Sequence, residues 1–326
     1  MSDTTGAPAP TPGRFSPDLA YQAARMYYIE DATQATIAER LSISRTSVSR
    51  LITEARRLGL VRIDVIDPQS DERGALEAEL AAALGLDRVR VVAPVHPSRL
   101  GPDLAPAVGE ELVERGLKPG DILLLSSGRT MYEIAEQPLP RLTGIQLVPT
   151  VGGLTEPIAW FQTNEIARRA AEHTGGFPAF VFAEAMPTAQ MRASLNSDPA
   201  FTHVLGLWDT ARGAVVGIGA PTATRNTISR YIPAGDEHFA DAAGDITLNF
   251  FDVNGDEVTF PGDERIVRAP RQRLRELEFS IGVAVGADKV PSIIGAVRSG
   301  MISSLVTDAP TARAVIAAVA RRGAED

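Results

Sequence analysis

The chain contains no cysteine. That excludes disulfides and thiolate metal sites, and it is compatible with a reducing compartment. Histidine is scarce as well. His96, His173, His203 and His238 fall in no metal-ligand spacing, and no Ser/His/Asp ordering of a nucleophilic triad is legible. No apolar run approaches the roughly 20 residues that a membrane-crossing helix needs, so a soluble, cytoplasmic protein with no membrane partner is expected. The opening stretch MSDTTGAPAPTP is polar and Pro/Ala-rich with no apolar core, so residues 1–15 read as a disordered tail rather than a secretion signal. Lysine is nearly absent too: Lys118 and Lys289 are the two lysines among 32 basic residues.

What is present suits a globular protein of two domains. The 326 residues are 44% hydrophobic and 22% charged, enough for a real core. Net charge is −9, which at first argues against nucleic acid, but its distribution reverses that inference. Between Thr33 and Arg62 stand Arg40, Arg45, Arg50, Arg56, Arg57 and Arg62 against Glu39 and Glu54, a local +4. Residues 67–326 carry 24 basic against 34 acidic residues, a local −10. A small basic module on an acidic body fits a DNA reader attached to a separate domain.

Local signals give that module its shape. Ser16-Pro17-Asp18 starts a helix with Pro at its first position and an acid in its first turn. Thr33 caps a second helix, TQATIAERL, with Ile37, Ala38 and Leu41 inward. After the turn Ser42-Ile43-Ser44, Ser44 caps a third, RTSVSRLITEARRLG, whose Val48, Leu51, Ile52 and Ala55 share one face and which Gly59 stops. LVRIDVID alternates as a short strand, a possible wing. Two helices joined by so short a turn match helix-turn-helix geometry, the second being the one laid in the major groove. Its exposed Ser, Thr and Arg side chains can reach base edges and phosphates, and its N-terminal end adds a phosphate site. Candidate contacts to double-stranded DNA are Thr33, Gln34, Ser44, Arg45, Thr46, Ser47, Ser49, Arg50 and Arg56, within a domain spanning 16–66.

PQSDERG reads as a polar linker over 67–75. From residue 76 to 326, helix-like and strand-like segments alternate: DRVRVVAPV, GDILLLSSG, GIQLVPTVGG, PAFVFAEA and GAVVGIGAP read as strands, with helices between most of them. The strands are short continuous apolar runs, as expected where both faces are buried, so the fold class is α/β with a doubly wound, mostly parallel sheet. Ligands in such sheets sit beyond the carboxyl ends of strands. Ser126-Ser127-Gly128-Arg129-Thr130 follows one such strand and opens a helix, offering hydroxyls, backbone N–H groups and a cation to an anion. It lacks the GK[ST] of a nucleotide-hydrolysing loop, and Gly217-Ile218-Gly219-Ala220-Pro221 lacks the third glycine of a dinucleotide loop, so no cofactor is expected. Thr150-Val151-Gly152-Gly153 permits close backbone approach. Lys289 follows the apolar strand IGVAV and precedes a helix; its compact ammonium suits a phosphate, hydroxyl or carbonyl where a guanidinium would not fit. Asp252-Val253-Asn254-Gly255-Asp256 departs from a calcium loop and reads better as a hairpin turn, with Asp252 able to face a ligand.

Taken in order, TQATIAERLSISRTSVSRLITEARRLGLVRI, GDILLLSSGRT, VPTVGG, QTNEIARRAAEHTGG, AVVGIG, AGDITLNFFDVNG and VAVGADKVPSIIGAVRSGMISSLVTDAPTA resemble the SorC family of DeoR-like sugar-binding regulators, over roughly residues 16–322. The resemblance implies a winged helix-turn-helix joined to an effector domain similar in fold to sugar-phosphate isomerases and deaminases. It also implies a phosphorylated sugar or polyol as effector and a homo-oligomer, a tetramer or dimer. Carried over by position, Gly128, Arg129 and Thr130, beside Ser127, contact the phosphate, Lys289 contacts the effector, and Gly152, Gly153, Gly219 and Asp252 line the pocket. The competing reading is a sugar-phosphate isomerase or deaminase whose first 65 residues only oligomerise. It needs an acid/base constellation at the strand ends, where the sequence offers Asp252 and Asp308 alone.

Overall fold

The computed structural model describes residues 16–61, 70–154, 157–221 and 237–322. The chain divides into two compact units after Pro68. The N-terminal unit holds α1 (Pro17–Tyr28), α2 (Gln34–Leu41) and α3 (Arg45–Arg57). α2 and α3 start at side-chain caps, whereas Ser16 before α1 makes no capping bond. Pro17 and Asp18 open α1, the Thr33 hydroxyl accepts the Thr36 N–H at 3.2 Å, and the Ser44 hydroxyl accepts the Ser47 N–H at 3.1 Å. Ser42 ends α2 in the left-handed region, at φ 50° and ψ 42°, which lets the chain reverse in three residues. Ala20, Ala23 and Ala24 of α1 bury against Ile37, Val48, Leu51, Ile52 and Ala55. Small side chains on α1 allow the helices to approach closely. Ile37 takes the central place, whereas Ala38 and Leu41 are only partly buried. The expected wing strand falls largely outside the described residues.

The C-terminal unit opens with α4 (Ser70–Leu84), β1 (Arg88–Val92), α5 (Leu100–Glu114), β2 (Ile122–Leu125), α6 (Arg129–Ala135), β3 (Gln146–Pro149), α7 (Thr163–Thr174) and β4 (Phe177–Pro178). It continues with α8 (Ala189–Leu195), α9 (Pro199–Asp209), β5 (Gly213–Gly217), β6 (Gly244–Ile246), β7 (Asn249–Phe251) and α10 (Arg271–Glu276). The last elements are β8 (Phe279–Val283), α11 (Val290–Arg298), β9 (Ser304–Asp308) and α12 (Ala309–Arg322). Seven strands form one sheet in the order β1-β9-β8-β5-β2-β3-β4, every neighbouring pair parallel. The continuous run ILLL of β2 makes sense here. Ile122 and Leu124 join Val148, Ala214 and Val216 in one apolar layer, while Leu123 and Leu125 join Leu147, Val215 and Ile281 in the other. From β2 the chain moves outward to β3 and β4; from β5 it moves the opposite way to β8 and β9. The strand order therefore reverses between β2 and β5, the position where doubly wound sheets leave a crevice. β6 and β7 form a separate antiparallel hairpin over a small cluster that includes Phe239, Phe250 and Phe260.

Two expectations about elements need correction. The stretch assigned to a linker over 67–75 becomes helical from Ser70: Asp71 and Glu72 favour a helix N-terminus, and Leu76 and Leu80, next in the pattern, are drawn into the core. PAFVFAEA is not a full strand. β4 ends at Pro178, with one more bond to β3 from Ala179 N–H to Leu147 O. The chain then bonds to Asn164 of α7 through Val181 and to the loop after β3, with Ala183 O accepting from Gly153 and Ala185 N–H donating to Gly153 O, both at 2.8 Å.

Two predictions follow from this packing. A Cβ on Gly213 would lie 2.2 Å from the Phe279 ring, so Gly213→Ala is expected to cost about 1–3 kcal/mol through overpacking, seen as a lower denaturant midpoint at unchanged slope. On α7, hydrogen bonding from Arg168, then Arg169, holds the Glu165 carboxyl down at about 2. A depressed folded-state pKa stabilises above the unfolded value of roughly 4.3 and loses that stabilisation as pH falls toward 2. Thermal melts of Glu165→Gln should therefore lie below those of the parent near neutrality and converge with them near pH 2.

Candidate functional site

A cavity of about 270 Å³ opens at the carboxyl ends of β2 and β5, where the strand order reverses. One wall is the loop after β2. Gly128 there has φ 113° and ψ 160°, a conformation open to glycine, and donates its N–H to Trp160 O at 3.0 Å. That places Gly128, Arg129 and Thr130 at the cavity with the first N–H groups of α6, which have no partner within the helix. The opposite wall is Gly217–Ala220 after β5. The walls are stitched together by buried Ser126, whose hydroxyl accepts the Gly217 N–H at 2.8 Å and donates to Ser127 O at 3.1 Å. Lys289, at the start of α11, sends its ammonium to the same cavity and donates to Ile218 O at 2.8 Å. The turn before it is anchored by the Gly286 N–H, which donates to the Thr311 hydroxyl at 2.8 Å.

Ser127, Gly128, Arg129, Thr130, Gly219 and Lys289 thus converge from three separate loops. The Arg129 guanidinium, however, is committed to Glu133 at 2.8 Å and to Pro97 O at 2.9 Å, so this residue offers the cavity its backbone more readily than its charge. Gly152, Gly153 and Asp252 do not line the cavity. A Cβ on Gly152 would meet Ala183 O at 2.8 Å, so it serves the close packing of β3's exit against residues 183–185, while the Gly153 backbone bonds to Ala183 and Ala185. The Asp252 carboxylate is spent within its own turn, accepting the N–H groups of Asn254 at 2.8 Å and Asp256 at 2.9 Å.

Sequence reasoning missed the third wall. Asp245, Thr247 and Leu248 at the tip of the β6–β7 hairpin, with Trp160 and Phe161, line the cavity. Asp245 is buried and accepts the Leu248 N–H at 2.9 Å. No glycine, asparagine or proline marks the Thr247-Leu248 turn, so the usual hairpin signal was lacking. Among the described residues no cluster of His, Cys, Asp and Glu could hold a metal, and no helix is long and apolar enough to cross a membrane.

In the N-terminal unit the expected DNA contacts share α3 and the start of α2. Arg45, Thr46, Ser49, Arg50 and Arg56 are exposed, with Gln34 and Ser47 half-buried. Arg57 is paired with Glu54 at 2.6 Å and Arg40 with Glu30 at 3.2 Å. Arg45, Arg50 and Arg56 form no ion pair among the described residues, which leaves three cations for phosphodiester. The Thr33 and Ser44 hydroxyls are engaged in capping, so they orient helices before they touch anything else.

A family model for sugar-binding domains matches residues 69–317, and the model for region 4 of sigma-70, a helix-turn-helix, matches residues 22–58. The sorbitol operon regulator of Klebsiella pneumoniae is 32% identical over 315 residues, covering 91% of this chain and 97% of that protein. The deoxyribonucleoside regulator of Bacillus subtilis is also 32% identical, over 306 residues, with the same coverage. The crystal structure of the full-length Klebsiella regulator superposes with a TM-score of 0.74 at 29% identity, covering 93% of this chain and all of that one. The chain belongs to the SorC family. This SorC-family protein is a DNA-binding transcriptional regulator that responds to a ligand, with a role in carbohydrate metabolism.

If Arg45 and Arg50 meet phosphates, Arg45→Ala and Arg50→Ala should each weaken DNA binding across sequences. Each should also reduce the slope of log K against log salt by about one, measured by fluorescence anisotropy over a salt series.

Proposed function

We propose that the effector of this regulator is a phosphorylated sugar or polyol bound at the β2–β5 crevice, and that its occupancy changes operator affinity through the packing of a homo-oligomer. The observation that carries the reading is the convergence of the chain's rare lysine, Lys289, with the Gly128–Thr130 loop on a single cavity at the reversal of strand order. An ammonium and helix-start N–H groups with no partner inside their own helix suit a phosphate; the Asp245 carboxylate and the Thr247 hydroxyl suit the hydroxyls of a sugar or polyol. Regulators named for sorbitol and for deoxyribonucleosides are relatives whose names point to the same ligand class.

The DNA-reading part is assigned to residues 16–66 and the sensing part to the unit that opens with α4 at residue 70, acting in the cytoplasm as a dimer or tetramer. Paired readers must match the helical repeat of DNA, so a ligand that binds one subunit arrangement better than another shifts operator affinity. Binding without turnover is favoured over an isomerase or deaminase. The described residues lining the cavity include one carboxylate, Asp245, and no histidine, a poor set for moving protons at neutral pH.

The test is a thermal-shift screen of sugar phosphates and free polyols, with hits then added to operator-binding assays on DNA upstream of the protein's own gene. A phosphorylated hit should raise the melting temperature and change operator affinity. Lys289→Met should lose at least tenfold in hit affinity while keeping ligand-free DNA binding, and Arg45→Ala should do the reverse. Conversion of the hit to product by purified protein would overturn the non-catalytic reading.

A further inference from the structure

The tip of the β6–β7 hairpin is held in a conformation its own residues disfavour. Thr247 and Leu248 have φ values of 52° and 64° and connect the paired residues Ile246 and Asn249. Positive φ at both central positions is the requirement of a type I′ turn, which normally draws Asn-Gly or Asp-Gly. A β-branched threonine in that region is an outlier, and such conformations persist only where surrounding groups over-determine them.

Those groups are on hand. Asp245 accepts the Leu248 N–H at 2.9 Å. The buried Asn249 carboxamide donates to Ile246 O at 3.1 Å and to the Thr247 hydroxyl at 3.0 Å. The same amide donates to Ala269 O at 3.1 Å, tying the tip to the segment before α10. From that segment Arg268 donates to Leu248 O at 2.5 Å. Arg268 is in turn gripped by both carboxylate oxygens of Asp263, at 2.8 Å and 2.7 Å, with side-chain exposures of 11% and 14%. The two strained residues line the cavity, whereas Arg268 and Asp263 do not.

We propose that Arg268, locked by Asp263, is a positioning residue for effector recognition: it holds the Thr247–Leu248 wall in its left-handed conformation without touching the ligand. This rests on the reading of the cavity as the effector site. Removing the guanidinium strands the buried Leu248 carbonyl and lets the turn relax toward negative φ. That relaxation withdraws the Thr247 hydroxyl and the Leu248 side chain from the positions that shape the cavity. Asp263 acts one step further out, because an unanchored Arg268 reaches the carbonyl only part of the time.

The test is a mutant cycle on the full-length protein with two readouts. Arg268→Met keeps the apolar stem and deletes the donors; Thr247→Asn supplies a residue that accepts left-handed backbone unaided. Without ligand, hydrogen exchange across 244–251 should speed at least tenfold in Arg268→Met and return toward the parent rate in the Thr247→Asn/Arg268→Met double variant. The second readout is affinity for glucose 6-phosphate, ribose 5-phosphate and sorbitol 6-phosphate, using whichever binds the parent tightest. There Arg268→Met should lose at least tenfold in the parent background and less than threefold beside Thr247→Asn. Asp263→Asn, which retains the Arg268 side chain but weakens its anchor, should give a smaller loss of the same kind and serves if Arg268→Met does not fold. Unchanged exchange at the tip in both single variants overturns the proposal. So does an equal affinity loss with and without Thr247→Asn, which would mean that Arg268 meets the ligand or merely supports the fold. If no sugar phosphate binds the parent protein, the phosphorylated-effector reading fails, and the exchange arm still decides whether Arg268 holds the turn.

Discussion

The contact on which the rest of the site depends is the side-by-side pairing of β2 and β5, parallel strands that the chain leaves in opposite directions. Because helices and apolar layers cover both faces of the sheet, neither strand end can be sealed by its own connection, and a crevice is left between them. The Ser126 hydroxyl, buried and bonded to the Gly217 N–H, fixes the width of that crevice at its base. At the opposite, amino end of β5, Gly213 yields its side-chain volume to Phe279, which lets β5 pack closely against β8.

Charge divides the molecule by task. The C-terminal unit carries a surplus of acid, so it has no general attraction for polyanions; the described lining of its cavity holds the Lys289 ammonium and an Arg129 guanidinium already tied to Glu133. The small helical unit carries arginines that are not neutralised by acids of its own. Such a division lets the two ligands, one a macromolecular polyanion and one a small metabolite, act on the same chain without competing for the same cations. Coupling between them requires a ligand that binds one arrangement of the protein better than another, the thermodynamic minimum for regulation.

The cavity also shows how stability and recognition compete. A hairpin closed by Thr247 and Leu248 is costlier than one closed by Asn-Gly, and the structure compensates with Asp245, Asn249, Arg268 and Asp263 rather than with a better turn. An Asn-Gly turn would need no such support, but it would present the cavity with neither a hydroxyl nor an aliphatic side chain. The arrangement trades local preference for the identity of the groups at the wall.

Local chemistry was enough to determine the N-terminal unit. Caps at Thr33 and Ser44, the three-residue turn and the apolar face of α3 all act within one or two helical turns, so they are legible without knowing the rest of the chain. Apolar runs likewise announced a parallel sheet, and the loops after them carry Gly128 and Lys289, which the fold brings to one cavity. Tertiary structure alone decided which loops meet. It removed Gly152, Gly153 and Asp252, whose backbone and carboxylate are consumed by nearby packing and turn bonds, and it brought in Asp245, Thr247 and Leu248 from a hairpin with no turn signature. Helices α8 and α9 and the loss of β4 after Pro178 escaped notice for a related reason. Pairing with a distant strand or loop is a long-range energy, and no window of sequence contains both partners.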